Sequence, residues 1–258
     1  MLQLSNDSKT RFYKGQKNTY GLMPGPSGTC PCATVGKGGC WHVPDGNKLH
    51  VCYVDSCITR LPATRNMLQR NTDMLRNARY EQQLAALRDT FKQFQDHEVK
   101  YAKKHNLPEY STCFFRLHWA GDIFNEDYAQ ALSHAILEFP NITFWGYTRS
   151  LFAVRHLAGL PNLSLYISLD SCNLEEGLER CYMINKELNA QKVKFTYLDG
   201  EDMFVKKFEQ IKHKFPGWTP KTVPCPADTG KIDHTESCSR CKLCLHTDKS
   251  FNIWFKKT

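Results

Sequence analysis

From residue 112 to 198 the chain alternates short apolar runs with polar, helix-patterned stretches, and this alternation restricts the fold more than any other feature. The runs fall at 112–117, 142–147, 163–169 and 193–198, each short enough for a strand. Among the intervening stretches 173–190 is the clearest helix. Leu174, Leu178, Cys181 and Leu188 share one face there, and Asn173 with Glu176 has the pattern of a capping box. Strands joined by helices of this length require right-handed crossovers into a parallel sheet. An early strand near Val51 and a late one at 251–255 bring the count to about six, short of the eight that close a barrel. The predicted fold is therefore α/β: a partial (β/α) barrel of about six mainly parallel strands, with Cys-rich metal-binding segments at its N- and C-terminal ends.

Four regions follow from this reading. Residues 1–62 are rich in Cys, Gly and Pro and include the first strand; residues 1–48 have no sustained period and need something, such as a thiolate-held cluster, to order them. Residues 63–107 are one amphipathic helical region, with Tyr80, Leu84, Leu87, Phe91 and Phe94 at alternating four and three spacing. Residues 108–215 carry the βα repeats. Residues 216–258 form a Cys-rich segment with the last strand.

The 12 cysteines among 258 residues raise the question of compartment. Secreted disulfide scaffolds are usually short and follow a signal peptide, whereas residues 1–7 contain no apolar core of that kind. No run approaches the roughly 18 apolar residues of a membrane span. The expectation is a cytoplasmic chain whose thiols are free or bind metal, with no membrane partner. A formal charge of +8 suits a polyanionic partner such as nucleic acid or a nucleotide, and equally a solvated basic surface.

Parallel α/β folds place their chemistry at the carboxyl ends of the strands. Those ends read His118 to Phe124, Tyr147 to Ser150, Asp170 to Cys172, and Asp199 to Asp202. Asp122 and Asp170 are candidates for an acid–base or nucleophile pair, because neighbouring carboxylates in a dry pocket take different pKa values. Asp at a strand-to-helix turn also serves as a helix cap, a reading that weighs at least as much for Asp170. His118 is a catalytic candidate or a hydrogen-bonded core histidine. Arg149 can clamp a phosphate or carboxylate, and Tyr147, Arg149 and Ser171 are the residues expected to meet a cofactor.

Cys225, Cys238, Cys241 and Cys244 have the spacing of a metal or iron–sulfur ligand set, fitting either a structural zinc or a [4Fe–4S] cluster, with His246 as an alternative ligand. Cys30, Cys40 and Cys52 are a second, less regular set, with Cys32 and Cys57 in excess. Cys113, Cys172 and Cys181 read as small buried side chains.

The order of a Cys-rich loop, Cys52-Tyr53, Gly121-Asp122-Ile123-Phe124, Tyr147-Thr148-Arg149-Ser150 and a terminal Cys-x-x-Cys-x-x-Cys resembles the bacteriophage gene eighty-eight protein family over most of residues 20–258. It is also distantly similar to phage proteins with a radical-SAM-like barrel. The first resemblance implies a phage-encoded protein working in the host cytoplasm. The second implies a cluster at the barrel mouth beside Asp122 and Arg149, with S-adenosylmethionine at an open iron. Radical-SAM enzymes space their three cysteines Cys-x3-Cys-x2-Cys, and Cys30, Cys40 and Cys52 depart from that.

Three functions are in view. The first is an iron–sulfur enzyme modifying a nucleotide or nucleic acid. The second resembles the tRNA-guanine transglycosylases, with Asp122 as general base, Asp170 as nucleophile and a structural zinc. The third is a non-enzymatic, metal-stabilised host-takeover protein that acts by binding.

Overall fold

The computed structural model describes residues 1–34, 39–41, 52, 54, 60–190, 192–198, 200–245 and 251–255. Its centre is an open sheet of six strands, all parallel: β1 (Phe114–Leu117), β2 (Thr143–Thr148), β3 (Leu163–Leu169), β4 (Val193–Tyr197), β5 (Thr222–Pro224) and β6 (Asn252–Trp254). Their spatial order is β1-β2-β3-β4-β6-β5. Helices α1 (Pro62–Arg76) and α2 (Tyr80–Lys104) precede β1. Helices α3 (Glu126–Leu137), α4 (Val154–Leu157), α5 (Leu174–Glu187) and α6 (Glu201–Ile211) follow β1 to β4 in turn, and the short α7 (Ser237–Cys241) comes late.

Each step from β1 to β4 moves to the adjacent strand in one direction, so right-handed crossovers put the connecting helices on one face of the sheet. Alternate side chains supply the core on that face. Phe115, Leu117, Phe144, Leu165, Ile167, Leu169, Val193 and Phe195 are buried with Phe91, Leu132, Leu178 and Phe204 of the helices. The opposite face is aromatic and polar. Arg116, Tyr147, Tyr166 and Lys194 lie there, the last with Nζ 2.6 Å from Ser164 Oγ and 4.5 Å from the Tyr166 ring centre.

None of the helices that connect β1 to β4 covers this second face, and the two ends of the chain pack on it. Phe12 stacks on Phe114 with ring centres 4.5 Å apart, and Asp7 pairs with Arg116 at 3.0 Å. The carboxyl-terminal segment packs Cys225, Ala227 and Ile253 against Tyr166. The amino-terminal segment also protects the outer edge of β1. Arg116 N donates to Asn18 O and Trp119 N to Tyr20 O, so the edge strand is not left bare.

The structure adds detail to the sequence reading at three places. The strand near Val51 lies almost wholly outside the described residues; Cys52 is irregular and Val54 is helical. Among the described residues the sixth strand is Thr222–Pro224, at the far edge. The region 63–107 is two helices, broken at 77–79. There Arg79 N donates to the Gln82 side chain, and the buried Gln83 amide caps the carbonyls of Leu75 and Ala78, which a helix end leaves unpaired. Lastly, residues 2–34 are ordered by hydrogen bonds to the helices: Leu2 N to Thr90, Gln3 N to Asn71, and the Gln16 amide to the buried Glu98. No helix among the described residues is long and apolar enough to cross a membrane.

Candidate functional site

The carboxyl ends of β1, β2 and β3 converge on two buried carboxylates and one buried guanidinium. Gly121 has φ +78, a backbone conformation that suits glycine, and a Cβ there would lie 2.5 Å from Thr29 Oγ1. This tight approach delivers Asp122. Its Oδ1 accepts from Ile123 N at 2.7 Å and Thr148 Oγ1 at 2.6 Å, and its Oδ2 from Arg149 N at 2.7 Å. Burial pushes the Asp122 carboxyl up, and these donors pull it back.

Asp170 follows β3. Its Oδ1 accepts from Cys172 N at 2.7 Å, so it caps the turn into α5. Its Oδ2 accepts from Arg149 Nη2 at 2.5 Å and Thr34 Oγ1 at 2.7 Å. Asn173 does not make the expected capping box. Its side chain instead accepts from Asp170 N and donates to Ser168 O, holding the loop that presents Asp170.

Thr34 is the residue that sequence reasoning missed. Its hydroxyl also accepts from Arg149 Nη2 at 2.9 Å and from Cys40 N at 3.0 Å. The amino-terminal thiol loop is thereby tied to the Arg149–Asp170 pair. A lone threonine in an aperiodic segment carries no signal that would single it out.

Cys30 lies in this loop, where burial raises its thiol, with Asp122, Cys40 and Cys52 adding to the rise. The Cys32 thiol is likewise raised by burial and by Asp122, while Leu151 and Ser150 lower it. Cys57 and His246 lie outside the described residues. His118 sits apart, its Nε2 3.2 Å from Tyr20 Oη and 2.7 Å from Tyr128 Oη, and burial pushes its imidazole down to about 3. It is neutral at physiological pH. Ser171 Oγ is 3.4 Å from Tyr197 Oη, near the end of β4.

The carboxyl-terminal thiols converge on the other face of the sheet. Cys225, Cys238, Cys241 and Cys244 line one cavity with Leu243 and Ile253. It encloses about 340 Å³ of atom-free space including its open side. Burial pushes Cys244 up to about 12, and Cys238, Cys225 and Cys241 add to the rise. Tyr147 Oη donates to Cys244 Sγ at 3.1 Å. The amino-terminal turn grips the segment from outside: Glu236 N donates to Ser8 O and Cys238 N to Lys9 O.

Among the described residues no three His, Cys, Asp or Glu side chains are arranged to hold a metal ion. Four sulfurs around a single zinc, each about 2.3 Å from it, lie about 3.8 Å from one another. The sulfurs of a [4Fe–4S] cluster's ligands stand several ångström further apart, around a hollow. The residues present are four thiols, a donor set that suits either group. Each set is influenced by its own thiols. Cys30 is influenced by Cys40 and Cys52, and Cys244 by Cys225, Cys238 and Cys241.

The sequence matches the family described as Gene product 88 over residues 2–247. It is 28% identical over 273 residues to the Gene 88 protein of Mycobacterium phage L5, covering 100% of this chain and 98% of the relative. It is 29% identical over 266 residues to the Gene 88 protein of Mycobacterium phage D29, covering 96% and 95%. No solved structure matches. An open, all-parallel sheet with two thiol sets, spanned almost end to end by that match, belongs to the Gene product 88 family of bacteriophage proteins.

Proposed function

We propose that this chain is an iron–sulfur enzyme of radical-SAM-like type that modifies a nucleotide or nucleic acid. The observation that carries the reading is the pairing of two thiol sets with different surroundings. Cys225, Cys238, Cys241 and Cys244 would ligate one cluster completely, which suits electron transfer or structure. Cys30, Cys40 and Cys52 would hold another through three thiolates at the strand mouth, leaving one iron for a ligand such as S-adenosylmethionine. Such a group supplies one-electron chemistry when bound.

The chain's own residues would do the rest. Thr34 and Arg149 fix the thiol loop against Asp170, and Asp122 orients the Arg149 backbone. Both aspartates have oxygens already engaged by protein donors, which favours positioning roles over the base and nucleophile of a base-exchange reaction. The excess of basic residues supports a polyanionic substrate.

Anaerobically purified, reduced protein incubated with S-adenosylmethionine tests this. Formation of methionine and 5′-deoxyadenosine by brown, iron-containing protein is the expected result. Colourless protein without iron would overturn the reading.

A further inference from the structure

Arg149 is 7% exposed, yet its Nε and Nη1 have no hydrogen-bond partner among the described residues. These two atoms carry three of a guanidinium's five N–H donors. The remaining nitrogen, Nη2, is held by Asp170 and Thr34. A buried donor without an acceptor is costly, more so when charged, and native structures rarely leave several on one side chain. Rotation does not relieve it, because the Thr34 hydroxyl accepts from Arg149 while donating to Asp170, and this locks the guanidinium plane.

We infer that the unused edge of Arg149 is a binding site for an oxyanion, the carboxylate or phosphate group of a small ligand entering at the strand mouth. The neighbouring carboxylates do not compete for these donors. Asp122 is satisfied by Ile123 N, Thr148 Oγ1 and Arg149 N, and Asp170 shares its charge with Thr34 Oγ1 and Cys172 N as well as Arg149. Neither carboxylate therefore needs the free N–H groups. The guanidinium is already oriented, so little side-chain freedom is lost when a ligand binds. The site is made by protein groups alone and does not depend on any iron.

The test is a titration of the anaerobically purified chain with inorganic phosphate and, separately, with succinate, read by unfolding temperature and by calorimetry. A saturable rise with either anion, weakened about tenfold or more in both R149K and R149Q, is expected. A rise with phosphate alone or succinate alone supports the site and identifies its oxyanion. Since R149Q deprives Asp170 of its partner and can fail to fold, the wild-type chain with isotope-labelled arginine gives a second measure. The Arg149 Nε–H resonance, assigned as the one absent from R149K, should move during the titration. An equal rise in wild type and variants, no saturable rise with either anion, or a stationary Nε–H resonance overturns the inference. Colourless, iron-free protein that passes this test would refute the proposed cluster chemistry and leave the anion site standing.

Discussion

Replacing Asp170 with Asn should be among the most destabilising single changes at the strand mouth. The Asp170 side chain is 0% exposed and that of Arg149 8%, so their pair is screened little by solvent. Asn can still cap α5, because its carbonyl oxygen can accept from Cys172 N as the carboxylate does. Its amide nitrogen then faces Arg149 Nη2 and the Thr34 hydroxyl, and the buried guanidinium loses its hydrogen-bonded counter-charge. Breaking a buried pair in this way costs about 3–5 kcal/mol, a large part of the roughly 5–15 kcal/mol that stabilises a typical domain. Urea denaturation followed by far-ultraviolet circular dichroism at pH 7 measures the loss. The double variant R149M/D170N, which removes the orphaned charge as well, should recover most of it, giving a coupling of about 2 kcal/mol or more. A D170N loss under about 1 kcal/mol, or a double variant no better than the single, would refute a buried and mutually dependent pair.

His118 gives a pH prediction. Its folded pKa, pushed down to about 3, lies below the ordinary value, so the unfolded chain binds the proton more readily. Its contribution is present above about pH 6.5 and is lost as pH falls towards 3, by about 2.7 kcal/mol two units below the ordinary value. H118Q should flatten that part of the stability curve, and the wild-type imidazole should show no NMR titration between pH 5 and 8. At Gly177 a Cβ would meet Leu169 Cδ2 at 2.1 Å, inside the sheet–helix core. Overpacking should therefore outweigh the helix-propensity gain of G177A and cost about 1–3 kcal/mol in urea denaturation. Tyr147→Phe removes the hydroxyl that donates to Cys244 Sγ. If the carboxyl-terminal thiols hold the proposed cluster, iron content should be kept and its reduction potential should fall in a potentiometric titration, since hydrogen bonds to ligand sulfur raise it.

The parts of the fold legible in the sequence are those in which one element is long enough to impose a period. β3 matches its apolar run at 163–169 because Leu163, Leu165, Ile167 and Leu169 all enter one core. Thr222–Pro224 escaped notice because three residues cannot display an alternation, and its place between chain segments is set by pairing with β6. The break at 77–79 is stabilised by the Gln83 side chain reaching back across it, a tertiary contact without a local signature. At the site, the polar strand ends identified Asp122, Arg149 and Asp170 as neighbours of interest. Which oxygen meets which donor, and that Thr34 joins them to the thiol loop, depends on packing between segments more than a hundred residues apart.

The most direct measurement is the iron, zinc and acid-labile sulfide content of anaerobically purified protein, made on wild type and on two variants. One variant carries Ser in place of Cys30, Cys40 and Cys52, and the other in place of Cys225, Cys238, Cys241 and Cys244. The account predicts iron and sulfide for two [4Fe–4S] clusters in the wild type, about half of each in either variant, and little zinc. Zinc without sulfide, or iron lost completely on removing one set alone, would contradict two separate cluster sites.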